Sequence, residues 1–331
     1  MQASSEQKTY LVTGAAGFIA SRVCEFLLAD GQRVIGVDNL NNAYDVRLKH
    51  WRLGRLSPHP NFTFYQQDVC DRVGMEQLFS AHPGLAGVLN LAARAGVRAS
   101  VENPWAFVDT NVTGTLNLLE NCRAFGVPKF ILASTSSIYG ADAPLPTPED
   151  ADSSRPLQPY SASKKGAEAL CHAYHFLYGL DVTIFRYFTV YGPAGRPDMV
   201  MFRFIQWIAE GQTVRLNGDG EQSRGFTYLD DIARGTILGL KPVGYEIINL
   251  GGHETITLNA MITELEGLIG RPAQVVHYPV HKADMQTNWA NVEKAGRMLG
   301  WEPQVSLQEG MRRTVEWYMN ERPWASQVLT P

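Results

Sequence analysis

A tyrosine and a lysine stand four residues apart, at Tyr160 and Lys164, in a segment whose apolar residues recur at helical spacing. Residues four apart lie on the same face of a helix, so the phenol and the ammonium are expected to be neighbours. A nearby cation lowers the pKa of a phenol from about 10 and makes the phenol a usable base near neutrality. The pair therefore predicts proton transfer.

Hydroxyl side chains cluster just before this helix, where a predicted strand at 130–134 ends. Thr135, Ser136 and Ser137 belong to the run STSSIYG, which begins at residue 134. Ligands of open α/β folds bind at the carboxyl ends of the strands. We therefore expect these hydroxyls and Tyr160 to meet at one edge of a sheet.

A glycine-rich turn, with Gly14 and Gly17, follows the first predicted strand and leads into a helix. Glycines let the backbone approach a pyrophosphate, whose charge is met by free N–H groups and the positive end of the helix dipole. For this motif alone, an ordinary tight turn is the alternative.

Asp38 closes the second predicted strand, 24 residues after Gly14. An acid at this place binds the adenosine ribose hydroxyls of a dinucleotide and repels the 2′-phosphate of NADP. A turn aspartate is the alternative. Together with the glycine turn, Asp38 favours NAD as the cofactor.

Alternating strands and helices are expected to position these residues. Helices are predicted at 18–28, 105–123 and 160–178, and strands at 10–13, 33–37, 62–66, 88–91, 130–134 and 182–185. Such alternation is typical of βαβ units. It predicts an α/β fold of the Rossmann type, a doubly wound parallel sheet buried on both faces.

The regular alternation of strands and helices ends after residue 188. Turn-rich stretches, mixed helices and short strands follow. We predict that residues 1–188 form an NAD-binding Rossmann domain and that residues 228–251 return to it as a helix and a strand. Residues 189–227 and 252–331 are predicted to form a smaller mixed α/β domain that binds the substrate.

Composition excludes several classes of function. The 331 residues are 45% hydrophobic, and 29 Lys and Arg against 33 Asp and Glu leave a net charge of -4, so no global positive field would hold a nucleic acid. The four cysteines are widely spaced, and the histidines show no metal-ligand spacing. We expect a cytoplasmic protein with reduced thiols, no metal and no membrane segment.

Taken together, TGAAGFIA, ASTSSIYG and YSASK resemble the extended short-chain dehydrogenase/reductase family, and so do RYFTVYGP and FTYLDDIARG. The resemblance implies an NAD-dependent enzyme that modifies nucleotide-sugars. It implies that Tyr160 is the catalytic base, that Lys164 orients it and holds the nicotinamide ribose, and that Thr135 hydrogen-bonds the reacting hydroxyl. A retained fold with inactive chemistry is the alternative.

The resemblance also implies which positions contact the cofactor. Asp68, at the end of the third predicted strand, is a candidate acceptor for the adenine amine, with a turn or helix-cap aspartate as the alternative. The candidate NAD-binding residues are Gly14, Gly17, Phe18, Ile19, Asp38, Asn39, Asp68, Val69, Leu91, Ala92, Ala93, Asn111, Tyr160, Lys164 and Tyr187.

Carboxylates that mark other reactions of the family are replaced by hydroxyls here. Dehydratases carry Asp-Glu directly after the threonine, and decarboxylases carry a Glu two positions before the tyrosine of the same motif, whereas this chain has Ser136 and Ser137. Without an acid beside the sugar, the simpler cycle remains, in which C4 is oxidised and then reduced from the opposite face. The family resemblance therefore implies a 4-epimerase that regenerates NAD.

The run GRPDM, from Gly195 to Met199, resembles the UDP-glucuronate 4-epimerases. That resemblance places Arg196 and Thr189, with Ser136 and Ser137, at the substrate carboxylate, which such donors suit. A loop arginine paired with Asp198 is the alternative for Arg196. The expected reaction interconverts UDP-glucuronate and UDP-galacturonate.

Further arginines are candidates for the nucleotide end of the substrate. Arg224 stands where the family places a diphosphate-binding arginine. Arg203 and Arg215 are weaker candidates, with surface salt bridges as the alternative. The remaining candidates are Arg98 and, for the uridine ribose, Asp284, although His281 and Ala283 depart from the family pattern beside it.

Three other functions stay open from the residues alone. They are a 4-epimerase of UDP-galactose or its N-acetyl form, a UDP-glucuronate decarboxylase, and an inactive nucleotide-sugar-binding protein. The resemblance further implies a homodimer that forms through the helices predicted at 105–123 and 160–178.

Overall fold

Parallel strands form the larger sheet of this computed structural model, which describes residues 7–279 and 287–330. The strands within these residues, in chain order, are β1 (Thr9–Thr13), β2 (Arg33–Asp38), β3 (Phe62–Gln66), β4 (Gly87–Asn90), β5 (Lys129–Thr135), β6 (Asp181–Tyr187), β7 (Thr189–Tyr191), β8 (Thr213–Asn217), β9 (Ser223–Tyr228), β10 (Tyr245–Leu250), β11 (Glu254–Thr257), β12 (Gln274–Tyr278) and β13 (Thr287–Asn288). Seven of them form the larger sheet, in the order β10-β6-β5-β4-β1-β2-β3.

Helices cover both faces of this sheet. Alternate side chains of a strand point to opposite faces, and in β1 Val12 packs with one apolar cluster while Leu11 packs with the other. The helices are α1 (Phe18–Ala29), α2 (Val46–Leu56), α3 (Arg72–Ala81), α4 (Val97–Glu102), α5 (Pro104–Val108), α6 (Gly114–Ala124), α7 (Pro159–Tyr178), α8 (Val200–Glu210), α9 (Leu229–Leu238), α10 (Leu258–Ile269), α11 (Glu293–Leu299) and α12 (Leu307–Ala325).

The predicted parallel sheet and Rossmann-type fold are confirmed. Each of the six predicted strands is present, and β5 extends to Thr135, which makes this threonine the last residue of a central strand. Helices α2 and α3 were not predicted. Their signal was available, because Asp45 and Asp71 precede them and accept hydrogen bonds from the main-chain N–H groups of Arg47 and Gly74.

The single helix predicted at 105–123 is wrong in one respect. Helices α5 and α6 are joined by a π-helical turn, Asp109–Thr113, instead of continuing as one α-helix. Such turns add a residue to one turn of a helix and often occur at functional sites. The turn contains the buried Asn111, whose side chain is bonded to Arg94 and Ser163 on neighbouring segments.

Smaller sheets and a separate apolar cluster form the other part of the molecule. Strand β9 pairs with β7, β11 and β13, and β8 pairs with β12. The chain passes from β6 to β7 across one residue, Phe188, and returns through α9 to β10, which pairs with β6 in the large sheet. The division into domains at residues 188, 228 and 251 stays a prediction.

Candidate active site

The glycine turn after β1 leaves no space for side chains. Gly14 has a φ of 70°, and a Cβ atom there would lie 2.9 Å from the main chain of Ala92. A Cβ atom on Gly17 would lie 2.7 Å from the carbonyl oxygen of Gly14. Helix α1 begins at Phe18, with Ile19 in its first turn. This compact turn at a helix N-terminus suits a pyrophosphate.

Asp38 ends β2 beside this turn and is almost fully buried. Its carboxylate accepts hydrogen bonds from the N–H groups of Ala16 at 3.2 Å and Leu40 at 2.8 Å. The amine of Lys49 lies 3.1 Å from the same carboxylate. Sequence reasoning missed Lys49, because nothing in the spacing showed that α2 would bring it back to the strand end. Asp38 is therefore a preformed acceptor at the place expected for a ribose.

Asp68 lies one strand further along the same edge of the sheet. Burial acts against its charged form, but hydrogen bonds from the N–H of Cys70 at 2.8 Å and the amide of Asn39 at 2.7 Å hold its pKa below the ordinary value. The neighbouring Val69 is buried and fills the space above Gly114. An ionised acceptor at this place suits the amine of a bound adenine.

Asn111 connects the segment after β4 to α7, the helix that carries Tyr160. Its amide oxygen accepts the N–H of Arg94 at 2.9 Å, and its amide nitrogen donates to the carbonyl of Arg94 at 3.0 Å and to the hydroxyl of Ser163 at 2.9 Å. We call these three hydrogen bonds the Asn111 clamp. Residues 91–93 lie directly before it in the chain, and the N–H of Ala92 donates to Thr13. The clamp holds the predicted cofactor-binding segment Leu91, Ala92 and Ala93 next to α7.

Tyr160 is the second residue of α7 and is half-buried. Burial raises its pKa, and a hydrogen bond with the side chain of Thr135 and the positive charge of Arg196 act to lower it. The ring of Phe107 contacts the tyrosine edge-on, with ring centres 6.0 Å apart. The structure thus brings the predicted base, the predicted threonine and the predicted arginine together.

Lys164 is buried one helical turn after Tyr160. Its ammonium donates to the carbonyl of Ala133 on β5 at 2.7 Å, and burial lowers its pKa to about 8. In this structure Thr135 and Arg196 act to lower the pKa of Tyr160, and the expected effect of Lys164, together with an oxidised nicotinamide, stays a prediction. Sequence spacing placed both residues on one helical face but could not show that β5 offers the ammonium a carbonyl.

Ser136 and Ser137 form a short turn directly after β5. The N–H of Ser137 donates to the Thr135 hydroxyl at 3.2 Å, and that hydroxyl lies 3.2 Å from the hydroxyl of Ser137. The Ser136 hydroxyl accepts from the amide of Asn288 at 3.3 Å. Asn288 was missed, since no motif surrounds it. These groups place hydroxyl and amide donors beside Thr135, the predicted partner of the reacting hydroxyl.

Arg196 lies in the loop between β7 and α8. Its guanidinium donates to both oxygens of Asp198, at 3.0 and 2.5 Å, and to the carbonyl of Ala95 at 3.2 Å. The pairing with Asp198, which the sequence offered as the alternative, is present, and the arginine is also close enough to Tyr160 to influence its pKa. Its contact with a substrate carboxylate stays a prediction. About a quarter of the side chain is exposed, which leaves it accessible to a ligand.

The remaining predicted residues lie on several elements. Tyr187 is buried, and its hydroxyl lies 2.8 Å from that of Thr236, so its main chain, in register with Thr135, is the part that borders the candidate site. Asp284, with His281 and Ala283, lies outside the described residues. Thr189 is half-buried on β7, Arg98 is exposed on α4, and Arg215 is exposed on β8. Arg203 is stacked on Trp207, and Arg224 is in register with Asn288.

Metal-ligand clusters and long apolar helices are both absent from the described part of the chain. Between residues 7 and 279 and between 287 and 330, no group of three or more His, Cys, Asp or Glu could hold a metal ion. No helix in the same two ranges is long and apolar enough to cross a membrane.

Comparison with known proteins gives consistent matches. The model of the NAD dependent epimerase/dehydratase family matches residues 10–251. A UDP-glucuronate 4-epimerase from Thermodesulfobacterium geofontis is 57% identical over 309 residues, which cover 93% of this chain and 95% of that protein.

Solved structures agree in fold. A UDP-glucuronic acid 4-epimerase from Bacillus cereus, in complex with UDP-glucuronic acid and NAD, superposes with a TM-score of 0.88 at 35% identity, covering 95% of this chain and 99% of the other. A UDP-glucose 4-epimerase from Thermotoga maritima, with UDP-glucose, superposes with a TM-score of 0.87 at 36% identity and the same coverage. NAD is the cofactor, and the turn at Gly14 and the carboxylate of Asp38 fit it. The chain belongs to the NAD dependent epimerase/dehydratase family.

Proposed function

We propose that this protein is a 4-epimerase that interconverts UDP-glucuronate and UDP-galacturonate. The observation that carries the proposal is the position of Arg196, whose side chain is about a quarter exposed and whose charge reaches Tyr160. A cation beside the base suits a sugar whose C5 bears a carboxylate next to the reacting C4. The relative from T. geofontis with 57% identity supports the same substrate.

In the proposed reaction, Tyr160 takes the proton of the C4 hydroxyl and later returns it. Thr135, bonded to this phenol, holds the same hydroxyl in place. Bound NAD supplies the acceptor and then the donor of the hydride at C4. The ammonium of Lys164, which donates to the carbonyl of Ala133, would also donate to the nicotinamide ribose. Between the two transfers the 4-keto sugar rotates, so that C4 is reduced from its other face.

The carboxylate of the sugar must be protected from decarboxylation during this cycle. A 4-keto uronate is a β-keto acid, and it loses CO₂ if the bond to its carboxylate aligns with the π system of the ketone. We propose that Arg196 and the hydroxyls of Ser136, Ser137 and Thr189 hold the carboxylate near the ring plane. Charge-assisted hydrogen bonds are strong enough to fix such an orientation.

A 4-epimerase of neutral UDP-sugars is the second candidate. It is favoured by the T. maritima UDP-glucose 4-epimerase, which superposes on this chain as well as the uronate enzyme does. The fold therefore does not separate the two substrates. The separation depends on the charged and hydroxylic groups at the C6 end, above all on Arg196.

The function is tested by giving the purified protein UDP-glucuronate, UDP-galactose or UDP-N-acetylglucosamine and following C4 inversion by NMR. We expect inversion of UDP-glucuronate with no UDP-xylose and no CO₂. Equal or faster turnover of UDP-galactose would remove the uronate assignment. Release of CO₂ without the inverted uronate would indicate a decarboxylase, and binding without turnover would indicate an inactive protein.

We also propose a cytoplasmic homodimer. Helices α5 and α7 pack together and expose large apolar side chains, including Trp105 at 76% and Phe176 at 79%. Such a surface is typical of an interface. The cytoplasmic location is supported by the four free cysteines. Light scattering with a Trp105→Glu variant tests the dimer, and cell fractionation tests the location.

A further inference from the structure

Arg52, on α2, is a buried arginine outside the residues assigned so far, with 2% of its surface exposed. It donates to the carbonyl of Ala16 at 3.0 Å, to the hydroxyl of Tyr44 at 2.7 Å, and to the carbonyl of Ala194 at 2.6 and 3.2 Å. Ala16 belongs to the glycine turn, and Ala194 belongs to the loop 192–199. One planar guanidinium thus joins the cofactor turn to the loop that carries Arg196.

One residue of the loop 192–199, Ala194, has a strained main-chain conformation. Ala194 has a φ of 52°, a left-handed conformation that is unfavourable for a residue with a Cβ atom, and it is buried. Such strain persists only where the surroundings hold it. Two hydrogen bonds from Arg52 to the Ala194 carbonyl help to hold it, and the Ala194 side chain also packs in an apolar cluster with Leu48, Phe202 and Val328.

Tyr44 provides a second connection between Arg52 and Arg196. Its hydroxyl accepts from Arg52, and its ring lies 5.5 Å from that guanidinium. Burial acts to lower the pKa of Arg196, and Asp198, Tyr160 and Tyr44 together raise it above the ordinary value. The phenol of Tyr44 therefore lies near both guanidinium groups.

We propose that Arg52 is a positioning residue for substrate specificity, which holds the loop 192–199 against the cofactor turn and so places Arg196 for the carboxylate of a uronate. This inference rests on the proposed function. Arg52 is too buried to contact the substrate itself. Because Arg52 is bonded to both segments, a contact that stabilises the cofactor turn in this conformation also favours the binding of a uronate.

The test uses the NAD-loaded enzyme and measures the Kd of UDP-glucuronate and of UDP by calorimetry. Arg52→Met should weaken binding of UDP-glucuronate about tenfold, the effect of losing one hydrogen bond to a charged group, and should leave binding of UDP unchanged. The affinity of Arg52→Lys for UDP-glucuronate should lie between those of the wild type and Arg52→Met, because an ammonium keeps the charge but lacks the planar fork of donors.

Arg55 offers a matched control. It lies one turn further along α2, is half exposed, and pairs with Glu25 at 2.7 Å. Arg55→Met removes the same charge from the same helix without touching the loop 192–199, and binding of both ligands should not change. An equal loss of UDP and UDP-glucuronate in Arg52→Met would mean general damage and would overturn the proposal.

A double-mutant cycle separates positioning from independent effects. In an Arg196→Met background, Arg52→Met should cost no further affinity for UDP-glucuronate, whereas additive losses would overturn the proposal. If Arg52→Met does not fold, Tyr44→Phe removes one of the hydrogen bonds of Arg52 and must show the same selective loss on a smaller scale.

Two outcomes separate the proposed function from the role of Arg52. If the wild-type protein neither binds nor epimerises UDP-glucuronate, the proposed function is wrong. If the wild type does both and every Arg52 variant behaves like it, the function stands and the role of Arg52 is wrong.

Discussion

The cofactor end and the sugar end of the site differ in how far their residues are separated along the chain. At the cofactor end, the Asp38 carboxylate accepts from Ala16, which is 22 residues away on the same β-α-β unit. At the sugar end, Asn288 reaches Ser136 across 152 residues and Arg196 reaches Ala95 across 101. The glycine turn and Asp38 belong to one local unit, whereas the proposed sugar end forms where distant loops meet.

This difference has a functional consequence. Residues at strand ends and in the first turn of a helix are held by the sheet, so substitutions there should change the chemistry or the retention of the cofactor. The loop 192–199 depends on contacts with other segments, and substitutions there should change which sugar is accepted. We therefore expect the two ends to respond differently to substitution.

The largest effect is expected at Tyr160, the proposed base. Tyr160→Phe should lower kcat by about 10²–10⁴, the usual contribution of a general base, while bound NAD and the melting temperature stay as in the wild type. Steady-state kinetics and the absorbance of extracted NAD measure this. Tyr174→Phe, on the same helix but bonded to Glu120, is the control. A Tyr160→Phe enzyme with wild-type kcat would remove the assigned base.

A large effect is also expected at the cofactor turn. Gly14→Ala should weaken NAD binding by roughly 100-fold, since a strained φ costs about 1–3 kcal/mol and the new Cβ meets the main chain of Ala92 at 2.9 Å. Gly31→Ala is the matched control, because Gly31 has a similar φ of 76° but no atom within 4 Å of the position that a Cβ would take. It should lose stability without losing NAD. Equal NAD content in both variants would contradict the assignment of the turn.

At the sugar end, the effect should depend on the ligand. Arg196→Met should lower kcat/KM for UDP-glucuronate about 10- to 100-fold, as expected for the loss of a hydrogen bond to a charged group, and should leave the Kd of UDP unchanged. Competition assays with UDP and UDP-glucuronate measure the two quantities. If both ligands are weakened alike, Arg196 supports the loop and does not recognise the carboxylate.

The smallest effect concerns pH. Burial raises the pKa of Tyr160 and Arg196 acts to lower it, so kcat/KM should rise with pH as the phenol loses its proton. In Arg196→Met this rise should move to higher pH, because the cation that favours the phenolate is gone. Arg196→Lys keeps a charge and should keep the wild-type profile. A profile that is the same in all three enzymes would show that the two groups are not coupled.

Much of the cofactor end could be predicted, because its signals are local. The glycine turn, Asp38 and the pair Tyr160 and Lys164 each belong to a short segment whose secondary structure follows from spacing. Lys49 was missed although it lies only 11 residues after Asp38, since nothing in the helix pattern shows which residue faces the strand end.

Residues of the sugar end were harder to predict. Arg196 was found through its motif, but its simultaneous contacts with Asp198 and Ala95 could not be deduced from spacing. Asn288 and Arg52 carry no motif at all. Their contacts follow from positions on separate elements, and a polar side chain considered without its neighbours is equally compatible with the surface.

Local patterns in the sequence predicted the Rossmann-type sheet, the glycine turn and the placing of Tyr160 and Lys164 on one helix, because strand period, helix period and glycine conformation are properties of neighbouring residues. Tertiary structure alone decided that Lys164 contacts Ala133, that Asn111 clamps the segment at Arg94, and that Arg52 supports the strained Ala194. Those contacts join residues from 17 to 142 positions apart. Which of them form depends on how the whole core packs, and no local pattern carries that information.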